Sequence, residues 1–290
     1  MEINTFITSI RMNKKVVRRI GWINGEWVSI NDLTLPINDR GLTLADGIFE
    51  TILIWEGQPQ LLNAHLNRWE KAAELLGMAS PPKQELIEGL IEEGINHAFL
   101  EKKHGALRLN WSRGTGDKRG IDINLNKPHP HSHRFWLELS SIDPSFTGIS
   151  TLISKKEKRN ANSQLNQCKT FAYNQSIQAR REARLAGYDD ALLQSTNGEL
   201  SCGTTGNLII KRDQEFLTPR LASGCLPGIM RQEGIACGLF KETKLDCKPQ
   251  RNDQWLLINS LNCQPIIRVD ETNLKSYLNP EQLWRSLYRI

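Results

Sequence analysis

The sequence predicts a mixed α/β (α+β) fold in two domains. The chain has 290 residues, which corresponds to two domains of ~150 residues each. Its first half has the pattern of strands, two helices and further strands, whereas its second half alternates strands with helices. Turn-forming residues over 143–148 separate the two halves. We therefore expect an N-terminal extension over 1–20, a small α/β domain over 21–143 and a larger domain over 148–290.

The elements of the first half follow from turn signals and apolar spacing. Asn24-Gly25 between apolar strand formers predicts a hairpin. Asn63 is the expected N-cap of the first helix, and Gly77 marks its end. A second helix is predicted over 83–103, with Leu86 and Phe99 in its apolar stripe. The remaining predicted elements are strands over 47–54, 106–112 and 135–142.

The second half alternates strands and helices. Asn197-Gly198 predicts a hairpin turn, and Asn279 followed by Pro280 predicts the start of a terminal helix. The expected helices cover 171–186, 228–238 and 280–287. The expected strands cover 150–154, 190–195, 199–202, 207–211, 215–218 and 254–260.

Charge and hydropathy exclude several classes of protein. The chain carries 37 basic and 32 acidic side chains, for a net charge of +5. Its clearest basic cluster after the N-terminus, residues 155–159, includes a glutamate and is interpreted as a solvated loop. The modest excess of positive charge fits small anionic ligands at least as well as nucleic acid. No apolar run approaches the ~18 residues that span a bilayer, and residues 1–20 lack the apolar region of a secretory signal. We expect a cytoplasmic protein without membrane or nucleic-acid partners.

The cysteines and histidines give no strong metal or disulfide signal. The six cysteines are dispersed without a C-x-x-C pair, so reduced and mostly buried thiols are expected, and no metal site is predicted. His129, His131 and His133 alternate with Pro128, Pro130 and Ser132, which favours a surface loop over a metal site.

Four segments have residue types that could carry chemistry. A lysine such as Lys169 can act as a Schiff-base nucleophile in partly apolar surroundings. His65 and Arg68 lie three residues apart on one helix face, and the fork of an arginine suits a phosphate. The helix start after Gly228 offers free N–H groups to an anion. The basic, glycine-rich loop over 112–120 lacks the ending of a P-loop, so we interpret it as offering arginines to a carboxylate.

Taken in order, these segments resemble the class IV fold of pyridoxal-phosphate (PLP) enzymes, of the D-amino-acid aminotransferase type. The resemblance covers about residues 21–270 and rests on the joint order of motifs that are individually loose. The family comprises branched-chain aminotransferases, D-amino-acid aminotransferases and aminodeoxychorismate lyases. The matching motifs are Asp39-Arg40-Gly41, Asp46 to Thr51, His65-x-x-Arg68, Ser112 to Gly116, Lys169, Asn197 to Gly203, Asn207-Leu208, Thr218-Pro219, Leu226 to Arg231 and Asn259-Ser260-Leu261.

The resemblance implies pyridoxal 5'-phosphate as cofactor and a homodimer as assembly. It implies that Lys169 forms the Schiff base and acts as general acid and base. It further implies that Arg68 binds the cofactor phosphate together with the backbone N–H groups of Ile229 and Met230 and with the Asn259-Ser260 segment. The free N–H groups of the helix start after Gly228 predict an anion site there independently of the resemblance.

Within the family, the pair Phe49-x-Thr51 resembles the aminodeoxychorismate lyases, as do the loop over 112–120 and the segment over 228–232. This resemblance implies conversion of 4-amino-4-deoxychorismate to 4-aminobenzoate, a folate precursor, and pyruvate, with Thr51 relaying a proton. The two substrate carboxylates need arginines, for which Arg108 and Arg119 are the candidates beside Phe49. Arg113 lies in the same strand and loop.

One position departs from the family pattern. The resemblance expects a glutamate that pairs with the pyridine nitrogen of PLP, and Cys202 occupies that position by register. Glu199 is three residues away and belongs to the opposite strand face. Two alternatives therefore stay open: an aminotransferase acting on branched-chain or D-amino acids, and an inactive binding protein that keeps the fold.

Overall fold

Two β-sheets, one from each half of the chain, form the framework of the computed structural model, which describes residues 19–116, 120–123 and 130–290. The first sheet has six strands in the order β2-β1-β6-β5-β3-β4, and all neighbours are antiparallel. Asn24 and Gly25 have φ angles of 53° and 93°, as a two-residue hairpin turn requires. The strands are β1 (Arg19–Ile23), β2 (Glu26–Ser29), β3 (Gly47–Trp55), β4 (Gln58–Pro59), β5 (Gly105–Ser112) and β6 (Arg134–Ser141).

Helices α2 (Leu62–Leu75) and α3 (Gln84–Ala98) supply apolar side chains to a core shared with this sheet. The prediction of Asn63 as N-cap was wrong: α2 begins at Leu62, and the Asn63 side chain accepts a hydrogen bond from Gln84. The second helix was predicted too long. It ends at Ala98 because Phe99 adopts a left-handed φ of 55°, and both Phe99 and Leu86 are exposed. A short helix, α1 (Arg40–Leu44), was not predicted.

The second sheet has nine strands in the order β12-β11-β10-β13-β14-β7-β8-β9, with β15 paired to β14. An additional pairing of Cys202 in β9 with Asn207 in β10 closes six of these strands into a ring. The strands are β7 (Ile149–Arg159), β8 (Asp190–Ser195), β9 (Leu200–Gly203), β10 (Asn207–Arg212), β11 (Glu215–Pro219), β12 (Phe240–Thr243), β13 (Gln254–Ile258), β14 (Cys263–Val269) and β15 (Thr272–Asn273).

Three helices accompany the second sheet: α4 (Asn174–Leu185), α5 (Ile229–Ala236) and α6 (Pro280–Tyr288). The side chain of Asn279 caps α6 by accepting a hydrogen bond from the Gln282 N–H, as predicted. The basic cluster over 155–159 belongs to β7 rather than to a loop, so the predicted strand over 150–154 was too short. This longer β7 brings Arg159 to the cavity described below.

The segment that carries Lys169 connects the two sheets. The Phe49 N–H donates to the Lys169 carbonyl at 2.9 Å, and the Phe171 N–H donates to the Gly47 carbonyl at 2.9 Å. Residues 169–171 are thereby attached to β3 of the first sheet, while α4 immediately after them packs on β7 and β8 of the second. β1 starts at Arg19, inside the stretch over 1–20 that was predicted as an N-terminal extension, and the division into two domains stays a prediction. None of the helices in the described ranges is long and apolar enough to cross a membrane.

Candidate active site

Ten of the eleven predicted site residues line a single cavity of about 350 Å³. The eleventh, Arg119, lies outside the described residues. Strands, loops and the helices α2 and α5, from both halves of the chain, form the cavity wall. The ten residues are Phe49, Thr51, Arg68, Arg108, Lys169, Cys202, Ile229, Met230, Asn259 and Ser260.

The amine of Lys169 lies in an aromatic corner of the cavity. Its Nζ is 2.9 Å from the hydroxyl of Tyr173 and 4.3 Å from the centre of the Phe49 ring. The attachment of residues 169–171 to β3 fixes the backbone that carries this side chain. Tyr173 also lines the cavity and was missed by the sequence analysis. Its position four residues after the lysine was the available signal.

Arg68 is held by a buried carboxylate. Its Nε and Nη2 donate to the two oxygens of Glu50 at 2.7 and 2.6 Å, a bidentate geometry. Its Nη1 donates to the Pro227 carbonyl of the second sheet's loop at 3.1 Å. His65, on the same face of α2 as predicted, places its Nδ1 2.7 Å from Glu50, and its Nε2 is 3.4 Å from the Ser260 hydroxyl. Arg68 is therefore fixed to both halves of the protein.

The charges in this network follow from their surroundings. Burial opposes the ionisation of Glu50, but the attraction of Arg68 and the hydrogen bonds from His65 and Arg68 prevail and lower the pKa of Glu50 to about 2. Burial lowers the pKa of His65, against the opposing effect of Glu50. We therefore assign a neutral His65 whose Nδ1–H donates to Glu50 and whose Nε2 accepts from Ser260. Glu50 was not recognised in the sequence as the partner of Arg68.

The start of α5 forms the anion-binding end of the cavity. Gly228 is the N-cap residue, and the N–H groups of Ile229 and Met230 belong to the first turn, where no intrahelical acceptor exists. A Cβ on Gly228 would lie 1.9 Å from the Asn207 carboxamide oxygen. The Asn207 amide donates to the Leu226 carbonyl at 2.9 Å and thereby holds this loop. A glycine is required at position 228 because a side chain there would collide with Asn207.

The Asn259-Ser260 segment borders the same cavity through a tight turn. The Asn259 side-chain oxygen accepts from the N–H groups of Leu261 and Asn262 at 2.8 and 2.9 Å. Its amide nitrogen donates to the Thr205 carbonyl at 3.3 Å. The side chain of Asn259 thus shapes the loop first, and one amide hydrogen remains for a ligand.

Thr51 and Arg108 lie opposite each other on β3 and β5. The guanidinium of Arg108 stacks 3.5 Å from the centre of the Phe49 ring, and its Nε donates to Asn110 at 2.7 Å. Burial lowers the pKa of Arg108, against the attraction of Glu138. A cation that has already been desolvated by its own side-chain contacts is well suited to a carboxylate ligand.

Arg113 has a structural role. It donates to Asp46 at 2.9 Å and to the carbonyls of Leu76 and Gly77 at 2.9 Å, and it does not line the cavity. Of the two arginines of that strand and loop that the structure describes, Arg108 lines the cavity and Arg113 does not. His133, from the histidine-rich segment, stacks on Trp111 and accepts a hydrogen bond from the Ala79 N–H. No metal-binding cluster of side chains occurs within the described ranges.

Cys202 lies on the cavity wall beside Arg159, a residue that the sequence analysis did not select. Attraction to Cys202 raises the pKa of Arg159, against the opposing effect of burial. Glu199 does not replace the missing glutamate, because it is buried and bound by Arg220, away from the cavity. All six cysteines are free thiols, and four of them are buried.

The described part of the cavity wall has cations but no carboxylate. Its charged residues are Arg68, Arg108, Arg159 and Lys169. Arg68 alone among these arginines is neutralised by a buried acid. Such a wall favours an anionic ligand.

The residues present fit pyridoxal phosphate. A phosphate dianion suits the α5 start and Arg68, and an aldehyde suits the Lys169 amine. The wall also presents the Asn259 amide, one hydrogen of which is not used by the loop, and the guanidinium of Arg159, which has no carboxylate partner among the described residues.

Comparisons with known proteins agree with this fit. The family model for amino-transferase class IV matches residues 47–269. A probable branched-chain-amino-acid aminotransferase of Rickettsia bellii is 30% identical over 278 residues, covering 90% of this chain and 91% of the relative. An aminodeoxychorismate lyase of Bacillus subtilis is 24% identical and covers 88% of each chain. The crystal structure of an aminotransferase from Brucella abortus bound to PLP superposes with a TM-score of 0.80 at 23% identity, covering 94% of this chain and 98% of that one.

Proposed function

Because the chain belongs to the class IV aminotransferase family of PLP-dependent enzymes, we propose that it is a lyase that converts 4-amino-4-deoxychorismate to 4-aminobenzoate and pyruvate. This reaction would supply a precursor for folate biosynthesis. The proposal includes PLP as the cofactor, a homodimer as the assembly and the cytoplasm as the location.

The charge of the cavity wall is the observation that supports the proposal. The substrate carries two carboxylates and the cofactor a phosphate, whereas the described wall offers three arginines and a lysine without an acid. Without a carboxylate beside it, the cofactor ring is a weaker electron acceptor. An elimination that forms an aromatic product depends less on that acceptor, because the stability of the product helps to drive the reaction.

Each residue has a role set by its position. Arg68 and the N–H groups of Ile229 and Met230 would hold the phosphate, while Arg108, stacked on Phe49, would bind a substrate carboxylate. When bound, the cofactor supplies an electron-accepting ring attached to the substrate nitrogen.

Lys169 would remove the proton from the ring carbon that bears this nitrogen. Thr51, which lines the same cavity, would relay a proton to the methylene carbon of the departing enolpyruvyl group. The ring C–O bond breaks, the ring becomes aromatic, and pyruvate leaves with the added proton. The Tyr173 hydroxyl, 2.9 Å from the Lys169 amine, would orient that amine between these steps.

Aminotransfer from branched-chain amino acids is the second candidate. It is supported by the 30% identity to the Rickettsia bellii relative, compared with 24% for the Bacillus subtilis lyase. The apolar and aromatic residues of the wall, Phe49, Leu226 and Leu261, would suit a branched side chain.

A direct competition between the two reactions tests the proposal. Purified protein supplied with PLP is assayed for 4-aminobenzoate and pyruvate from aminodeoxychorismate, and for amino transfer from leucine, isoleucine, valine or D-alanine to 2-oxoglutarate. We expect the two lyase products in equal amounts and at least about tenfold faster turnover, which corresponds to 1.4 kcal/mol of barrier. Faster amino transfer would replace the lyase assignment by the second candidate.

The catalytic roles need separate variants. Lys169→Ala should abolish the visible absorbance of bound PLP that borohydride reduction alters, whereas the exposed Lys155→Ala should retain it. Thr51→Val should lose about 10²-fold in lyase rate, and Thr51→Ser should recover most of it, because a relay needs only the hydroxyl. A colourless wild-type protein that is unaffected by PLP would identify an inactive member of the fold.

A further inference from the structure

Arg159 is a half-buried cation of the cavity wall that has no carboxylate partner among the described residues. Its Nη1 donates to the Gln175 amide oxygen at 3.5 Å. Its Nε is shielded from solvent and has no acceptor in the described structure, so the donors that can meet a ligand are those of the two Nη groups. The groups that raise its pKa are Cys202 first, then Tyr173 and Cys225, and none of them is a carboxylate. A guanidinium in this state has hydrogen bonds left to donate to a ligand in the cavity.

The structure of pyridoxal phosphate limits which of its atoms can contact the Arg159 guanidinium. In pyridoxal phosphate the ring nitrogen is para to the aldehyde carbon, so it points away from the lysine that binds the aldehyde. The phosphate arm is committed to Arg68 and the start of α5. Cys202 occupies the position that the resemblance pairs with this nitrogen, and Arg159 lines the same cavity.

A protonated pyridine nitrogen carries a positive charge and needs an acceptor. The described wall provides no carboxylate for this purpose, and it already holds Arg108 and Arg159, two cations that form no ion pair among the described residues. Like charges oppose a further proton, whereas an unprotonated nitrogen is an acceptor that matches a guanidinium donor.

Resting on the function proposed above, we infer that Arg159, together with Cys202, holds the ring nitrogen of bound PLP in its unprotonated form by donating a hydrogen bond to it. Arg159 is then a specificity-determining residue. It weakens the electron sink that amino transfer needs, and it leaves the elimination, which is driven by formation of an aromatic ring, as the favoured outcome.

An ionised Cys202 is the alternative acceptor that would reverse this inference. A thiolate could pair with a protonated ring nitrogen. However, Arg159 lies against the same sulfur and would be the counterion of that thiolate, so the pair would offer no net negative charge to the ring.

The ¹⁵N resonance of PLP labelled at the ring nitrogen tests the inference directly. The full-length protein is loaded with the labelled cofactor and studied without substrate at neutral pH. We expect a shift in the range of an unprotonated pyridine. A shift in the pyridinium range in the wild-type protein would overturn the inference, whatever reaction the enzyme performs.

Two variants at one position sharpen this test. Cys202→Glu should move the resonance into the pyridinium range, because it supplies an acid beside the nitrogen, while Cys202→Gln, of equal size and neutral, should leave it unprotonated. A pyridinium shift in the Gln variant, or no movement in a folded, PLP-loaded Glu variant, would contradict the role given to this wall. Failure to bind PLP at all, seen by absorbance, would instead count against the proposed function.

Discussion

Two arginines of the cavity wall are bound in different ways. Arg68 is clamped by both oxygens of the buried Glu50, which His65 holds in turn. Arg159 lies against a cysteine, and its buried Nε has no acceptor in the described structure. The first arginine therefore has its position fixed and its charge balanced, while the second keeps a charge and donors for a ligand. The same residue type thus serves as a fixed phosphate site at Arg68, whereas at Arg159 its charge opposes protonation of the cofactor ring.

The largest expected effect is the loss of stability when Arg68 is replaced by methionine. Arg68→Met leaves Glu50 buried beside only a neutral histidine, so it should lower the free energy of unfolding by about 3–5 kcal/mol. Urea denaturation of the cofactor-free chain measures this without a contribution from lost PLP. Adding Glu50→Gln should restore part of the stability, since it removes the unpaired charge. Additive losses in the double variant would show that the two side chains do not act as a pair.

Acid should weaken the ion pair between Arg68 and Glu50 and so lower the stability of the protein. The pKa of Glu50 is lowered from 4.5 to about 2, so its contribution to stability is fully present above pH 4.5 and is lost as the pH falls towards 2. The shift corresponds to about 3 kcal/mol. The urea midpoint of Glu50→Gln should therefore fall less than that of wild type between pH 6 and 3. The exposed Glu101→Gln is the control, and an equal fall in all three proteins would contradict the assignment.

Gly228→Ala tests the backbone half of the phosphate site. Because its Cβ would meet the Asn207 oxygen at 1.9 Å, the loop must move, at a cost of about 1–3 kcal/mol. Weakening of PLP binding by about tenfold is expected from an equilibrium titration. Gly89→Ala is the matched control, since nothing lies within 4 Å of its added Cβ. Unchanged affinity in Gly228→Ala would remove this loop from the phosphate site.

Cys202→Glu would make the second arginine resemble the first by giving it an acidic neighbour. We expect any amino transfer to rise by about tenfold, equivalent to 1.4 kcal/mol of barrier, because a protonated ring is the better electron sink. The half-reaction of the loaded enzyme with leucine, followed by absorbance, measures it. Cys202→Gln should show no such rise. An unchanged rate of amino transfer in the Glu variant would show that residue 202 does not determine which reaction the enzyme performs.

Arg159→Met should have the smallest effect on stability, within about 1 kcal/mol of wild type. It removes a buried polar atom that has no acceptor and leaves no acid unpaired, so the loss of attraction to Cys202 is offset by easier burial. Urea denaturation of this variant beside Arg68→Met completes the comparison. A loss as large as that of Arg68→Met would reveal a balancing charge that the cavity wall does not display.

Local sequence signals predicted the elements better than their ends. The hairpin at Asn24-Gly25 and the cap at Asn279 were confirmed because a positive φ and a side-chain acceptor are local requirements. The N-cap at Asn63 and the end of α3 were wrong. Leu61 takes a left-handed conformation before α2, and Phe99 ends α3 in the same conformation, and neither residue type signals it.

The sequence by itself determined the family resemblance and ten residues that line one cavity, because motif order and residue chemistry are properties of the chain. Only the tertiary structure decided which charges are paired. Glu50 and Arg68 are 18 residues apart, and Arg159 and Cys202 come from different strands. Their partners depend on how α2 packs against β3 and how β9 closes the ring of strands. Neither packing is encoded in local spacing, since side-chain partners across a sheet depend on register and burial, which emerge only when both sheets are assembled.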